Sequence, residues 1–401
     1  MKKLLILGGS RYIIPAIKAA HELGVYVITC DYLPDNIGHK YSDEYHNVSI
    51  IDKEAVLKLA QDLKVDGIIS FATDPGVETA AYVAEKLGLP TSPYESVHIL
   101  QNKDLFRKFL QDNGFNVPLF RGFNSIESAE REINDFRMPV IVKPVDSAGS
   151  KGVTRVDCVE ELWDAVECAL TYSHSNRFII EEFIQQKGYS SDTDCFSIDD
   201  ELVFTSFCCQ YFDRSADNPY TPCGYTWPSD MPKAAQSELR NELQRLIRLL
   251  HMGSSIYNVE SRLGADGKVY LMEVSPRAGG NRLSEVLRYA CGQDLIANSI
   301  KAALGLPLDA LHDPKYDGCW AEVVVHCEKD GIFKEIWIDS KIEKKYVVEK
   351  DIWVQPGDPI HAFTGANEAI GTIVLKCSSP KEAEKIVSIP EQWMKVVVDK
   401  M

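Results

Sequence analysis

The stretch from Tyr257 to Arg282, YNVESRLGADGKVYLMEVSPRAGGNR, constrains the fold more than any other part of the sequence. Two runs rich in β-forming residues flank Asp266-Gly267, a dipeptide typical of hairpin turns because both turn positions take positive φ. A two-residue turn at this dipeptide sets Glu260 directly opposite Glu273. The sequence therefore predicts a β-hairpin with two facing carboxylates.

The facing glutamates indicate a function. Like charges directly opposite each other destabilise a hairpin, unless a divalent cation lies between them. Mg²⁺ prefers carboxylate oxygens together with the oxygens of substrate phosphates. Arg277 and the Gly279-Gly280 loop follow at once, as expected for a phosphate site beside the metal. A solvent-facing acidic pair is the alternative interpretation.

Composition narrows the class of protein. A chain of 401 residues is expected to hold two or three domains, and its net charge of −16 disfavours nucleic acid or an anionic membrane as a partner. Eleven cysteines without a C-x-x-C pair are typical of reduced thiols. The apolar run after Met1 is too short for an export signal, and no stretch has the ~20 apolar residues of a membrane span. We therefore expect a soluble, cytoplasmic protein.

Residues 1–95 alternate between strand and helix patterns, which predicts a doubly wound parallel sheet. Gly8-Gly9-Ser10 after the first strand, with Asp31 after the second, suggests a dinucleotide site, but the full G-x-G-x-x-G is missing. A structural turn is favoured over a nicotinamide oxidoreductase. Thr73-Asp74-Pro75-Gly76 is either a ligand-binding strand end or a helix start. The predicted strands are Lys3–Leu7, Val25–Cys30, Val48–Ile50 and Gly67–Phe71.

Residues 96–308 contain further candidates for phosphate binding. Lys103 lies in the first turn of a predicted helix, where the helix dipole disfavours a cation unless an anion binds nearby. Lys143 ends a predicted strand, and the loop at 146–153 offers amides, hydroxyls and a second lysine to phosphate oxygens. Glu181 and Glu182 end another strand. Each of these features alone is also compatible with an ordinary surface role.

Two regions carry less recognisable chemistry. The pattern of residues 211–232 predicts a long irregular segment, which contains Arg214 and several aromatic residues. Such a segment is typical of a substrate pocket. The strand-rich residues 309–401 predict a small α+β domain for packing or dimerisation. We therefore divide the chain into domains at 1–95, 96–308, with a mobile lid at about 120–185, and 309–401.

The order of these motifs over residues 1–305 resembles that of the ATP-grasp superfamily, specifically its carboxylate–amine ligases. This superfamily includes the ATP-grasp domains of carbamoyl phosphate synthase, biotin carboxylase and L-amino acid ligases. The resemblance implies an ATP-grasp fold of α/β and α+β domains. It also implies ATP and Mg²⁺ as cofactors, with Mn²⁺ as an alternative metal.

The resemblance further implies a role for each matching residue. Lys143 and Arg277 are the catalytic residues, and the metal ligands are Glu260, Glu273 and Ser275. The residues implied to bind ATP are Lys103, Lys143, Ser147, Gly149, Ser150, Gly152, Glu181, Glu182 and Ile184.

Two positions depart from the pattern of the superfamily. Gly188 stands where a ribose-binding glutamate is usual, so that Asp192 or Asp194 is the substitute candidate. Ser275 stands where an asparagine often binds the metal, and its single oxygen makes a weaker ligand.

The implied activity is activation of a small, amino-acid-like carboxylate as an acyl phosphate, followed by condensation with an amine and release of ADP and phosphate. Arg282, Arg288 and Arg214 are candidates for binding the substrates. Two alternatives stay open: a nucleotide-binding sensor or scaffold without turnover, and an enzyme that makes a thioester or stops at the acyl phosphate. The expected partners are the two small substrates and a second copy of the chain, because homodimers are the commonest oligomers.

Overall fold

The computed structural model describes residues 1–216 and 218–400, which form five sheets. The N-terminal sheet is parallel throughout, in the strand order β3-β2-β1-β4. Its elements are β1 (Lys3–Leu7), α1 (Ile14–Glu22), β2 (Tyr26–Cys30), β3 (Glu44–His46), α2 (Lys53–Leu63), β4 (Gly67–Ser70) and α3 (Val77–Leu87). The parallel sheet predicted for this region is confirmed.

The third strand differs from the prediction. It forms at Glu44–His46, and not at Val48–Ile50. Ile50 is buried in the core that contains Ile28 and Cys30, and Val48 packs against the same core. The apolar residues thus mark burial against the sheet, whereas the strand pairs through backbone groups a few residues earlier.

A second sheet is antiparallel, in the order β5-β8-β6-β7, and lies in the region predicted as a lid. The elements of this part of the chain are α4 (Tyr94–Gln101), α5 (Lys103–Asp112), β5 (Phe120–Phe123), α6 (Ile126–Glu132), β6 (Val140–Pro144), β7 (Thr154–Val156), α7 (Leu162–Tyr172) and β8 (Phe178–Glu182). The helices α6 and α7 share one apolar core with this sheet.

A third, antiparallel sheet has the order β10-β9-β13-β14 and carries the predicted hairpin. Residues 191–303 contain β9 (Ser191–Ile198), β10 (Glu201–Thr205), β11 (Cys209–Phe212), β12 (Pro222–Trp227), α8 (Lys233–Leu249), β13 (Ser255–Leu263), β14 (Val269–Ser275), α9 (Leu283–Cys291) and α10 (Leu295–Ala303). Leucines at helical spacing on α8, among them Leu239, Leu243 and Leu246, are buried in one core with β13 and β14, as the sequence predicts.

The C-terminal region contributes two further sheets. Its elements are β15 (Cys319–Val325), β16 (Gly331–Ile338), α11 (Ser340–Tyr346), β17 (Val347–Ile352), β18 (Pro359–Ile360), β19 (Gly371–Cys377), α12 (Pro380–Ser388) and β20 (Met394–Asp399). Three of these strands join two earlier ones in a five-stranded sheet, β11-β12-β15-β19-β17. No helix in the described part of the chain combines the length and apolarity needed to cross a membrane.

The prediction of irregular structure over 211–232 was wrong for Tyr211 and Phe212, which end β11, and for the residues that form β12. The segment reads PCGYTW, whose proline and glycine resemble a loop, but Gly224 pairs with Val323 of β15. A Cβ at Gly224 would lie 2.6 Å from a methyl carbon of Val387 on α12. The glycine therefore permits close packing of a helix on the strand, which local sequence patterns do not reveal.

Candidate active site

The hairpin of β13 and β14 places Glu260 opposite Glu273, as predicted. Its turn is longer than predicted. The Gly264 N–H donates to the Lys268 carbonyl at 2.8 Å, and the Gly267 N–H donates to the Gly264 carbonyl at 2.9 Å. The loop therefore has three residues, ending in Gly267 with a φ of +82°.

A β-bulge restores the predicted pairing of the two glutamates. The three-residue turn alone would shift the register by one residue, and a one-residue slip turns side chains to the opposite face. Ser261 pairs with Leu271 while Glu260 pairs with Glu273, so Met272 is the extra residue of a bulge. The turn and the bulge compensate each other, and the two carboxylates meet.

A third carboxylate continues this row on the next strand. Asp192 of β9 pairs with Glu260, so that Asp192, Glu260 and Glu273 lie side by side across three strands. Burial, reinforced by the charge of Glu260, raises the pKa of Asp192 to about 7. Asn258, one of the neighbouring residues on β13, donates to the Asp192 carboxylate at 2.8 Å.

Asp194, two residues further along β9, organises the loop that follows the hairpin. Its carboxylate accepts hydrogen bonds from the Gly279 N–H at 2.8 Å and from the Ser284 hydroxyl. Burial raises the pKa of Asp194 to about 6, although these hydrogen bonds oppose the rise. Asp192 and Asp194, the substitute candidates for a ribose contact, thus lie beside the hairpin glutamates.

The two hairpin glutamates are accessible to a ligand, and each already contacts one cation. Their side chains are 29% and 32% exposed, with Glu260 2.9 Å from Arg262 and Glu273 3.4 Å from Lys103. Within residues 1–216 and 218–400, no three acidic, histidine or cysteine side chains are grouped closely enough to hold a metal ion by themselves. Two carboxylates fit Mg²⁺ when phosphate oxygens supply further ligands.

Ser275, the third predicted metal ligand, is engaged in hydrogen bonds. Its hydroxyl donates to Asp74 at 3.0 Å and accepts from the Gln101 side chain at 2.9 Å. Its oxygen keeps one lone pair for a metal.

Lys143, at the end of β6, forms a buried ion pair with Glu181 of β8. The distance from Lys143 Nζ to Glu181 Oε2 is 2.7 Å, and the other oxygen of Glu181 lies 2.6 Å from Arg107 Nε. Burial would raise the pKa of Glu181, but the charges of Arg107 and Lys143 outweigh it and lower this pKa to about 2. Glu181, which the resemblance implies to bind ATP, therefore holds the two cations in place with its side chain.

Arg107 was not predicted as a site residue, although a sequence signal existed. It lies on α5 one turn after Lys103, so the two side chains share a face of the helix. Its side chain is only 2% exposed. One carboxylate between Arg107 and Lys143 leaves this cluster with a net positive charge, which suits phosphate.

Lys103 connects the hairpin to the glycine-rich loop. Besides its contact with Glu273, its Nζ donates to the Ser147 carbonyl at 2.7 Å. The loop turns through left-handed conformations at Gly149, Ser150 and Gly152, and a Cβ at Gly152 would lie 3.2 Å from Pro144. The loop is thus shaped by its glycines and lies against a predicted phosphate-binding lysine.

Other contacts of the loop and of β8 complete the site. Ser150 donates its hydroxyl to the Tyr220 carbonyl at 2.9 Å. The Glu182 carboxylate accepts from the Arg137 N–H at 2.9 Å, and Ile184 follows β8, half-buried. Just after Ile184, the Gln185 carbonyl accepts from the Ala265 N–H at 2.7 Å. The tip of the β13–β14 hairpin therefore lies against a segment that the resemblance implies to bind ATP.

Arg277 is held by a residue of the N-terminal region. Its Nε and Nη2 donate to the two oxygens of Asp74 at 2.8 and 2.7 Å. Burial would raise the pKa of Asp74, but the charge of Arg277 outweighs it and lowers this pKa. Asp74 lies in the strand-end segment that the sequence marked as either a ligand site or a helix start.

The three arginines predicted to bind substrate lie apart from one another. Arg282 precedes α9; its side chain is 8% exposed and pairs with Glu285 at 3.0 Å and with Glu349 at 2.9 Å. Arg288 lies on the exposed face of α9 and pairs with Asp294, and Arg214 is exposed. The structure brings together the predicted phosphate and metal residues, but not these three.

Several known proteins resemble this chain in sequence or fold. A model of the ATP-grasp domain matches residues 136–285. The formate-dependent phosphoribosylglycinamide formyltransferase of a Synechococcus strain is 27% identical over 320 residues, which cover 77% of this chain and 78% of the relative.

Two solved structures share the fold over almost the whole chain. L-amino acid ligase from Bacillus licheniformis has a TM-score of 0.81 at 20% identity, covering 100% of this chain and 99% of that one. The biotin carboxylase domain of Hydrogenobacter thermophilus 2-oxoglutarate carboxylase, solved with MgADP and bicarbonate, has a TM-score of 0.74 at 16% identity. The latter comparison covers 99% of this chain and 91% of that one.

The domain match and the solved structures show an ATP-grasp fold, in which lysines, glutamates and an arginine cluster at the hairpin. Residues 136–285 thus match an ATP-grasp domain, and the chain shares its fold with the solved structures named above, as its motif order suggested. The proteins named above are a formyltransferase, an L-amino acid ligase and a biotin carboxylase domain.

Proposed function

We propose that this protein uses ATP to activate a small, amino-acid-like carboxylate as an acyl phosphate and condenses it with an amine. ADP and phosphate are the other products. The observation that carries the proposal is the meeting of Glu260 and Glu273 across the hairpin, with Lys103 on one side. Two ordered carboxylates next to a cluster of cations suit a metal-bound polyphosphate.

In the first step, an oxygen of the substrate carboxylate attacks the γ-phosphorus of ATP and the bond to ADP breaks. Lys143 and Arg277 offset negative charge on the transferred phosphoryl group. Glu181 and Asp74 hold these two cations in fixed positions, so that little reorganisation is needed during the reaction. When bound between Glu260 and Glu273, Mg²⁺ would neutralise charge on the phosphates.

In the second step, the amine nitrogen attacks the acyl carbon, and phosphate leaves. The acyl phosphate must be kept from water between the two steps. The loop of residues 147–152 is suited to this task, because it already lies against Lys103 and the Tyr220 segment. Closing of such a loop over ATP would exclude water from the intermediate.

The comparisons support a small acid as substrate. One relative is named as formate-dependent, and a structural neighbour of the same length is named as an L-amino acid ligase. Both names refer to small carboxylates. They support the class of substrate and leave the particular acid and amine to experiment.

A phosphate-release screen tests the proposal. Amino acids and small carboxylates are offered in pairs with ATP and Mg²⁺, and mass spectrometry detects the condensed product. Glu273→Gln should abolish release, whereas Glu201→Gln, which removes an exposed carboxylate paired with Arg248, should leave it unchanged. ATP hydrolysis that no acid stimulates, or that survives in Glu273→Gln, would contradict the proposal and favour a nucleotide sensor.

A further inference from the structure

Glu322 is a buried carboxylate that the proposed mechanism does not use. It lies in the middle of β15 and is 0% exposed. Among the described residues, neither of its oxygens has a hydrogen-bond partner. Buried polar groups are nearly always hydrogen-bonded, so an unpartnered carboxylate in a folded core requires an explanation.

The surroundings of Glu322 are acidic. Arg282 lies over the same face of the sheet and donates to Thr372 Oγ1 at 3.3 Å. Around this single guanidinium are Glu285, Glu349 and Asp351, the last at 3.9 Å. We refer to Arg282, Glu285, Glu322, Glu349 and Asp351 as the acidic chamber, which contains four carboxylates for one cation.

The charge balance of the acidic chamber is unfavourable as it stands. Burial raises the pKa of Glu322 well above its usual value; Arg282 opposes this rise, and the carboxylates of Glu285 and Glu349 add to it. Arg282 is already committed to Glu285 and Glu349. A further cation would balance the charge, whereas a substrate carboxylate would not.

The acidic chamber is connected to the proposed reaction centre. Tyr225, which pairs with Glu322 across the sheet, donates its hydroxyl to Asp192 at 3.4 Å. The same hydroxyl accepts from Asn281 at 3.3 Å, in the loop between Arg277 and Arg282. Tyr225 thus joins the acidic chamber to the carboxylate row that contains Glu260.

A small cavity adjoins the acidic chamber on the side of this loop. Its volume is about 10 Å³, and its lining includes Gly279, Arg282 and Glu285. Such a volume holds about one water molecule. An ammonium group is close to a water molecule in size, whereas a trimethylammonium group is several times larger.

We propose that the acidic chamber binds the primary ammonium group of a substrate and that Glu322 supplies the carboxylate that receives it. This inference rests on the proposed ligase function and extends it to the class of substrate. It reverses the role expected for Arg282, which would orient Glu285 and Glu349 and would not grip a substrate carboxylate.

Calorimetric binding to the full-length enzyme, in the presence of Mg²⁺ and the non-hydrolysable ATP analogue AMP-PNP, tests the inference. The probes are L-alaninamide, which has an ammonium group but no carboxylate, propionamide, which has neither charge, and N-acetyl-L-alanine, which has only the carboxylate. We expect L-alaninamide alone to bind. Glu322→Gln should weaken its binding about tenfold or more, because hydrogen bonds to charged groups contribute ~1.5–3 kcal/mol.

Glu335→Gln on β16, where the glutamate is exposed, is the matched control and should leave the binding of L-alaninamide unchanged. Equal binding by the wild type and Glu322→Gln, or binding of N-acetyl-L-alanine alone, would overturn the inference. So would failure of L-alaninamide to bind the wild type. If Glu322→Gln does not fold, the wild type is tested with the trimethylammonium analogue of glycinamide. The inference requires that L-alaninamide binds to the wild type and that this analogue does not.

The proposed function is read separately in the same samples. Binding of AMP-PNP should be unaffected by Glu322→Gln, because Glu322 lies outside the phosphate and metal cluster. If the wild type does not bind AMP-PNP, this result contradicts the ligase function. The binding of L-alaninamide then tests the ammonium site independently.

Discussion

Glu181 and Glu322 are both fully buried glutamates on β-strands, yet their surroundings differ completely. Glu181 lies 2.6 Å from Arg107 and 2.7 Å from Lys143, and these charges overcome the effect of burial and lower its pKa to about 2. Glu322 has no hydrogen-bond partner among the described residues, and burial raises its pKa. The difference separates a carboxylate that organises the protein from one that is available to a ligand.

Removing the charge from each glutamate should change the free energy of unfolding differently in the two cases. Glu181→Gln leaves two buried cations without their partner, and we expect a loss of about 3–5 kcal/mol in the free energy of unfolding. Glu322→Gln removes a costly buried acid and should cost less than about 1 kcal/mol, or stabilise the protein. Urea unfolding followed by tryptophan fluorescence measures both. Similar losses in the two variants would show that Glu322 has a structural partner.

The pH dependence of stability should also have opposite signs. The pKa of Glu181 is lowered to about 2, so its contribution is complete above about pH 4.3, the value for an unfolded glutamate, and is lost as pH falls towards 2. The pKa of Glu322 is raised, so that the folded protein binds the proton more tightly. Relative to Glu322→Gln, the wild type should therefore lose stability as pH rises above about 4.3.

Unfolding midpoints from pH 3 to pH 8 check both signs, with each glutamine variant compared with the wild type at every pH. A difference between the wild type and Glu181→Gln that is constant down to pH 3 would contradict the lowered pKa. A flat difference for Glu322→Gln would contradict the raised one.

Asp74, like Glu181, is a carboxylate whose charge is paired with a buried cation, here Arg277. Asp74→Asn removes the charge that holds Arg277, and we expect kcat to fall about 10–100-fold through misplacement of the guanidinium, with little change in KM for ATP. Asp62→Asn, which alters an exposed pair on α2, is the matched control. Steady-state phosphate release gives both constants. An effect confined to KM would indicate that Arg277 contacts ATP before, and not during, phosphoryl transfer.

Sequence patterns predicted elements well and side-chain partnerships poorly. The facing of Glu260 and Glu273 was correctly predicted because a longer turn and the bulge at Met272 shift the register in opposite directions. Lys143 and Glu181 were both singled out, but their ion pair joins residues far apart in the chain, which periodicity does not encode. The same holds for Arg277, whose partner Asp74 comes from another sheet region altogether.

Ser275 offers the smallest and most discriminating test. Its hydroxyl hydrogen is donated to Asp74, and it accepts from Gln101, so its place in the structure is explained without a metal. We expect Ser275→Ala to raise the Mg²⁺ concentration for half-maximal phosphate release by less than about threefold, a change below ~0.7 kcal/mol. Glu273→Gln, measured in parallel by Mg²⁺-dependent binding of ATP, should weaken metal binding far more. An increase above about tenfold in this Mg²⁺ concentration for Ser275→Ala would instead identify the serine as a metal ligand, as the resemblance to the superfamily implied. The serine hydroxyl would then join the two carboxylates that meet across the hairpin.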